Sequence, residues 1–531
     1  MRSGAVVGID AVVVDVEVDM ALGLPFTNVV GLAEGAAQES KQRVMAALRN
    51  CGYELPSKRT TINLAPADIR KDGTVFELPL CLGMLVAGQL LPPGVLDGYL
   101  FGGELSLDGA VKPIRGALPL ALAARDHGFK GVMVPQMNAA EAALVDRVEV
   151  YPVTHLRDAI AHLLGEKPIA PYSRADEAAR ALAGHGAAVD MSEVRGQADV
   201  KERLEVAAAG GHNVLMCGPP GSGKTMLARR LPSIMPTMSF AEALEVTKLY
   251  SVLGLLGEQS LVKERPFRSP HHTISDAGLV GGGMLARPGE LSMAHRGVLF
   301  LDELPEFRRN VLEVMRQPLE EGVVRLARAN QNICYPASVM LVAAMNPCPC
   351  GYFGVEHRTC ICSPTKVQDY RTRISGPMLD RIDITLETKP VDLRSLVDAE
   401  RSELPSSHYR ARVEAARDRQ RRRFKDTPEV FCNAQMGPRL LRELCKLKPG
   451  GRHELERAVE KHGLTARAHD RILKLALTKA DLEDHSVIHD DDVDFAIGCR
   501  RLDRREHLGK GVHHYVDPNQ RKITDPVLNR K

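Results

Sequence analysis

Gly218-Pro219-Pro220-Gly221-Ser222-Gly223-Lys224-Thr225 decides how this chain folds. The octet follows an apolar run, Asn213-Val214-Leu215-Met216-Cys217, and precedes Met226-Leu227-Ala228-Arg229-Arg230-Leu231, which reads as the start of a helix. A strand, a glycine loop and a helix N-terminus form a phosphate cradle, because backbone N–H groups and the positive end of the helix dipole face the anion. In such a loop Lys224 reaches the β- and γ-phosphates of ATP, and the Thr225 hydroxyl ligates Mg²⁺. The expectation is a P-loop nucleotide site in an α/β fold.

A second apolar run, Gly297-Val298-Leu299-Phe300-Leu301, ends in Asp302 and Glu303. Runs of this kind suit a central parallel strand covered on both faces. Asp302 is expected to hold Mg²⁺ through its water shell and Glu303 to polarise the attacking water, which marks a hydrolase and not merely a nucleotide binder. A third run, Val339-Met340-Leu341-Val342-Ala343-Ala344-Met345, ends at Asn346. Its amide could orient the same water, although asparagine after a strand is also a common turn residue.

With 531 residues, the chain is too long for one core and two to four domains are expected. The 70 basic and 67 acidic residues nearly cancel, so any nucleic-acid contact must come from local basic surfaces. Tryptophan is absent and aromatics are scarce, which argues against base stacking as the basis of such a contact. No apolar stretch reaches the length of a membrane span and no signal core follows the N-terminus, so a cytoplasmic protein without membrane contact is expected. The composition divides the chain into a mixed strand and helix region (1–165), a Pro- and Ala-rich linker (166–190), the nucleotide domain (191–390), a charged helical domain (391–505) and a basic, disordered tail (506–531). Residues 408–425 hold eight cations, which serve either as a solvated helix face or as a phosphate-binding surface.

Three stretches identify a relative: Arg265-Pro266-Phe267-Arg268-Ser269-Pro270-His271-His272, Arg287-Pro288-Gly289-Glu290-Leu291-Ser292, and Asn346-Pro347-Cys348-Pro349-Cys350-Gly351. Together with the phosphate loop they resemble AAA+ ATPases of the magnesium-chelatase-like group, and within it the ComM/YifB family, over roughly residues 1 to 505. The resemblance implies a homo-hexameric ring, an ATPase core with a helical lid, and DNA branch migration during integration of transforming DNA. It implies a pore-directed hairpin around Gly281-Gly282-Gly283. A second hairpin is implied over Val323 to Ile333, turning near Ala329-Asn330. Arg325 and Arg328 then sit where related helicases place DNA-facing cations, or on an ordinary solvated hairpin.

Arg381, within Gly376-Pro377-Met378-Leu379-Asp380-Arg381-Ile382-Asp383, matches the family's arginine finger, which reaches a neighbouring subunit's γ-phosphate. A surface ion pair with Asp380 or Asp383 is the plain alternative. Arg467 matches the sensor-2 arginine of the lid, which contacts the γ-phosphate.

Residues 1–165 resemble the proteolytic domain of Lon through Lys71-Asp72-Gly73 and Gly103-Glu104-Leu105-Ser106-Leu107-Asp108-Gly109. Val75 stands where the Lon serine is expected, and Ala117-Leu118-Pro119 where its lysine is expected. Neither nucleophile nor base is in place.

Cys348-x-Cys350 and Cys360-x-Cys362 offer four thiolates, the number for a closed structural Zn²⁺ site, with His357 as a replacement ligand. Plain reduced thiols on a loop are the alternative, since zinc ligands are more often spaced by two or more residues. A chelatase motor subunit or a protein-remodelling ATPase stands as the alternative to a DNA helicase.

Overall fold

The computed structural model describes residues 1–69, 71, 73–173, 189–283, 286–328, 331–355, 358–389, 403–427, 429–462 and 465–500. The tail, 174–188 of the linker, and His357 lie outside these residues.

The first region is a mixed sheet with helices on it. Its seven strands run in the order β3 (Phe26–Val30), β4 (Arg59–Ala65), β2 (Asp10–Ala21), β1 (Arg2–Val7), β5 (Tyr99–Phe101), β8 (Gly131–Pro135) and β9 (Glu149–Val153). A short separate ribbon joins β6 (Glu104–Leu105) to β7 (Val111–Lys112). The β1–β2 hairpin and the β2–β4 pair are antiparallel, and the β3–β4, β1–β5, β5–β8 and β8–β9 pairs are parallel. Val75, at the place of the expected nucleophile, packs against both cores of this region and meets Ile114 and Leu120 beside Gly102. Leu118 and Pro119 are buried in the helix Ala117–Asp126. Hydrocarbon fills the place of a peptidase pair.

The second region is built on a parallel sheet of five strands, ordered β11 (Phe267–Arg268), β14 (Val298–Leu301), β17 (Met340–Met345), β10 (Val214–Cys217) and β18 (Ile384–Glu387). Every residue of β10, β14 and β17 is buried, as expected for strands with both faces covered. Their side chains alternate between two cores. Met216, Phe300, Val342 and Ala344 join one core, whereas Leu215, Leu299, Leu301, Leu341 and Ala343 join the other.

Among the described residues, the helical region shares its core with the sheet. Helices Ser406–Arg423 and Ala466–Leu482 pack their buried faces into the first of these two cores, together with the sheet. Neither reading of the 408–425 cations describes most of that segment. Arg410 donates to the Ser233 carbonyl at 2.9 Å, Arg412 pairs with Glu483 at 3.0 Å, and Arg417 donates to the Phe431 and Ala208 carbonyls at 3.2 Å. Arg423 donates at 2.8 Å to Asp481, which is 1% exposed and also accepts from Asn433 at 2.8 Å. Arg410 and Arg417 bind the helical region to the core, whereas the Arg412–Glu483 and Arg423–Asp481 pairs tie its own helices together. Arg423→Leu would leave the Asp481 carboxylate buried without its cation, at a cost of about 3 kcal/mol. Urea unfolding should register it as a lower midpoint; an unchanged midpoint would show that Asn433 alone suffices.

The first region docks on the helix Phe240–Leu253. Leu118, Leu120 and Val132 share a core with Met238, Ala243, Val246 and Leu261, and the Gly116 amide donates to the Ser251 carbonyl at 3.1 Å. Among the described residues no helix is long and apolar enough to cross a membrane.

Candidate functional site

The strand order brings the three polar strand ends together. β14, β17 and β10 are neighbours and parallel, so Asp302 and Glu303, Asn346 and the phosphate loop all emerge at the same, C-terminal, edge of the sheet. Ligands of open parallel sheets bind at this edge. Gly223 turns the loop into the helix Lys224–Ile234 at φ +81°, a left-handed conformation that a side chain would resist.

Lys224 curls over the loop. Its Nζ donates to the Gly218 carbonyl at 2.7 Å, to the Pro219 carbonyl at 2.9 Å and to Asn346 Oδ1 at 3.2 Å. Burial lowers the Lys224 pKa, against the pull of Asp302, Cys217 and Glu303. Thr225 Oγ1 donates to Asp302 Oδ2 at 2.8 Å. A hydroxyl and a carboxylate this close are a hard-oxygen pair that fits Mg²⁺. The amide of Glu303 donates to Asp302 Oδ1 at 2.9 Å, and Glu303, at φ +52°, turns its own carboxylate outward.

Some contacts were not foreseen. His272 Nδ1 lies 3.6 Å from Glu303 Oε2, and its ring lies 4.1 Å from that of His271, tilted by 33°, and meets Phe307 edge-on. The Arg265–His272 stretch identified the family without suggesting that its last residue faces Glu303. Ser222 Oγ lies 2.7 Å from Thr388 Oγ1, and Gln197 Nε2 donates to the Ser222 carbonyl at 3.0 Å, so residues from both ends of the region brace the loop. Sequence spacing held no signal for either.

Arg381 and Arg467, the two arginines expected at the site, lie at the opposite, N-terminal, edge of the sheet. Asn213, just before β10, donates from Nδ2 to the Arg381 carbonyl at 2.8 Å, and its amide donates to Asp383 Oδ2 at 3.0 Å. The guanidinium of Arg381 pairs with Glu320, so neither Asp380 nor Asp383 is its partner as the plain alternative supposed. Those acids are engaged elsewhere. Asp380 pairs with Arg467 at 3.3 Å and Asp383 with Arg471 at 3.3 Å. Burial would raise the Asp383 pKa, but His212, Arg471 and the Asn213 amide hold it below the ordinary range. Arg381 and Arg467 both line a cleft of about 620 Å³ at this edge, with Arg265, Arg296 and Arg471. Within one chain, Arg467 therefore keeps company with Arg381 and not with Lys224.

Both expected hairpins form. β12 (Gly281–Gly282) pairs with β13 (Arg287–Pro288), and β15 (Val323–Arg328) pairs with β16 (Gln331–Pro336). Tyr335 Oη donates to the Ala286 carbonyl at 2.9 Å and ties one hairpin to the other. Arg325 is exposed and pairs with Glu321; the turn at 329–330 and the Arg328 side chain lie outside what is described. Val324 and Tyr335 anchor the second hairpin in the core, and Ile333 touches Gly8 in the β1–β2 turn of the first region. Three residues past β16 the chain enters β17, which ends at Asn346. The four cysteines also converge, as a single cluster beside the phosphate loop.

Three family models match the chain in succession. Residues 16–138 match "Subunit ChlI of Mg-chelatase", residues 190–396 match "Magnesium chelatase, subunit ChlI", and residues 403–500 match its C-terminal part. YifB of Escherichia coli K12 is 40% identical over 507 residues, covering 95% of this chain and 97% of that protein. The competence protein ComM of Haemophilus influenzae is 39% identical over 504 residues, covering 94% and 97%. Lon protease 2 of Bacillus subtilis is 27% identical over 170 residues, covering 29% and 30%.

Proposed function

Because this chain belongs to the YifB/ComM family of magnesium-chelatase ChlI-like AAA+ proteins, a family of ATP hydrolases, we propose that it is a hexameric ATP-driven DNA translocase that promotes branch migration. The observation that carries the proposal is the division of the ATPase machinery between two edges of one sheet. Lys224, Thr225, Asp302, Glu303 and Asn346 stand at one edge, and Arg381 and Arg467 at the other. A subunit whose cationic edge faces a neighbour's phosphate loop completes that neighbour's site. Repetition of this head-to-tail contact closes a ring.

In such a ring the Gly218–Thr225 backbone and Lys224 bind the phosphates of ATP. Thr225 and Asp302 would hold Mg²⁺, which neutralises phosphate charge when bound. Glu303 accepts a proton from the attacking water, Asn346 and Lys224 fix the γ-phosphate, and the neighbour's Arg381 and Arg467 stabilise charge that develops on it. The hairpin β15–β16 carries the output. It is continuous with the Asn346 strand at one end, and at the other it follows the helix Arg316–Glu321, whose Glu320 holds Arg381. Nucleotide state can thus move the hairpin from both sides of the sheet.

Phosphates spaced along a strand offer a track that cationic hairpins follow without reading bases. The exposed Arg325–Glu321 pair holds little energy, so phosphate can compete for the guanidinium. Replacing Arg325 and Arg328 together by alanine should weaken DNA binding and branch migration, leave DNA-independent hydrolysis intact, and flatten the salt dependence by about 0.7 per lost contact on single strands. Unwinding of a branched substrate at the wild-type rate by the double variant would remove the hairpin from the grip. The proposal as a whole is tested by ATPase rates with and without single-stranded, duplex and branched DNA. A rate indifferent to all three would return the chain to a chelatase-type or protein-remodelling role.

A further inference from the structure

Four sulfurs meet beside the phosphate loop. Cys348 is buried two residues beyond Asn346, and Cys350, Cys360 and Cys362 close around it, with all four Sγ atoms within 4.8 Å of one another. Cys348 and Cys350 are 3.3 Å apart, Cys350 and Cys360 3.5 Å, and Cys348 and Cys360 3.6 Å. Disulfide sulfurs sit about 2.0 Å apart, so none of these pairs is bonded. The spacing is instead close to the edge of a zinc tetrahedron, where bonds of about 2.3 Å place the sulfurs about 3.8 Å apart. The Cys362 amide donates to Cys360 Sγ at 3.4 Å, a second-layer contact of the kind that steadies a ligating thiolate. Four thiolates with no oxygen donor form a soft, closed set suited to structural zinc.

The segment that carries these thiols backs the ATP site. Asn346, at its start, accepts from Lys224, and the next residue, Pro347, has its carbonyl held by Arg371 Nε at 3.1 Å. Gly351 lies directly on the phosphate loop. A Cβ there would fall 2.5 Å from Pro220 Cδ, and its φ of +85° disfavours any side chain. Among the described residues 347–362 there is no helix or strand to hold these contacts in register.

We infer that the cluster binds one zinc ion per chain and that this metal sets the phosphate loop, so that the ATP site is complete only in zinc-loaded protein. The inference rests on the reading of residues 218–225 as the ATP site. Metal binding supplies the ordering energy that the segment's own backbone lacks. Loss of the metal frees Gly351 from Pro220 and loosens Asn346 beside Lys224.

Full-length protein purified without an affinity metal should contain one zinc per chain by elemental analysis. Stripping the metal with a thiol-reactive mercurial and chelator, followed by reduction, should weaken binding of a fluorescent ATP analogue at least tenfold. Zinc chloride should then restore it. Cys360→Ser should lower zinc content and nucleotide affinity together. Gly351→Ala retains all four thiols, so it should keep its zinc and still lose nucleotide affinity, which separates the contact from a general failure to fold. Fresh reduced protein with no zinc would overturn the metal site. Full nucleotide affinity after zinc removal, or in Gly351→Ala, would overturn the coupling. Absence of nucleotide binding in zinc-loaded wild-type protein would instead refute the ATP site on which the inference rests.

Discussion

Glutamine in place of Glu303 should leave nucleotide bound and nearly abolish its hydrolysis, lowering turnover about 10²- to 10⁴-fold. Asp302 is already committed, since it accepts from Thr225 and from the Glu303 amide. In the proposed mechanism Glu303 receives the proton, and its side chain is exposed beside His272. Glutamine keeps the size and the contact with His272 but cannot act as a base. Lys224→Ala should behave differently. The ammonium curls back on the Gly218 and Pro219 carbonyls and on Asn346, ready to exchange those acceptors for phosphate oxygens. Its loss should abolish nucleotide binding along with turnover. Single-turnover hydrolysis beside equilibrium binding of a fluorescent ATP analogue separates the two outcomes. Normal turnover by the Glu303 variant would place the catalytic carboxylate elsewhere.

The phosphate-loop edge of the sheet was legible because its pattern is local. A strand, a loop and a helix follow one another within residues 213–234, and the apolar runs before Asp302 and Asn346 announce strands covered on both faces. Which strands would be neighbours could not be read from any one run, but the polar residue at the end of each was visible. The opposite edge was less legible. Arg381 meets Glu320 across a sequence separation of 61, and Arg467 meets Asp380 across 87, so no window of sequence shows either pair. The cation run 408–425 looked like surface because side-chain charge was visible and its acceptors were not. Those acceptors are the Ser233 and Ala208 carbonyls, Glu483 and Asp481, all supplied by other parts of the chain. That the apolar face of the helical region shares a core with the sheet was equally invisible, because the two surfaces come from distant parts of the chain.

Arg381→Ala should reduce hydrolysis about 10³- to 10⁵-fold, the range lost with an arginine finger, while nucleotide binding within each subunit survives. Arg381 stands at the N-terminal edge of the sheet, tied by its carbonyl to Asn213 at the start of β10, and the phosphate loop of the same chain begins at the far end of that strand. The length of β10 therefore separates it from the loop of its own chain. Its guanidinium is parked on Glu320, whose side chain is exposed, so a neighbour's γ-phosphate can compete for it with a stronger set of acceptors. Arg381→Lys should not rescue the loss, because a point charge lacks the planar fork that spans phosphate oxygens. The decisive test mixes Arg381→Ala subunits with Glu303→Gln subunits. Each is inactive alone, but random mixing leaves about one head-to-tail interface in four with both groups intact. Hydrolysis should therefore reappear in rings shown by two affinity tags to contain both variants. Arg467→Ala, from the same cleft, should complement Glu303→Gln in the same way. Verified mixed rings without recovered activity would mean that Arg381 acts within its own chain or only holds Glu320, and the head-to-tail ring would lose its main support.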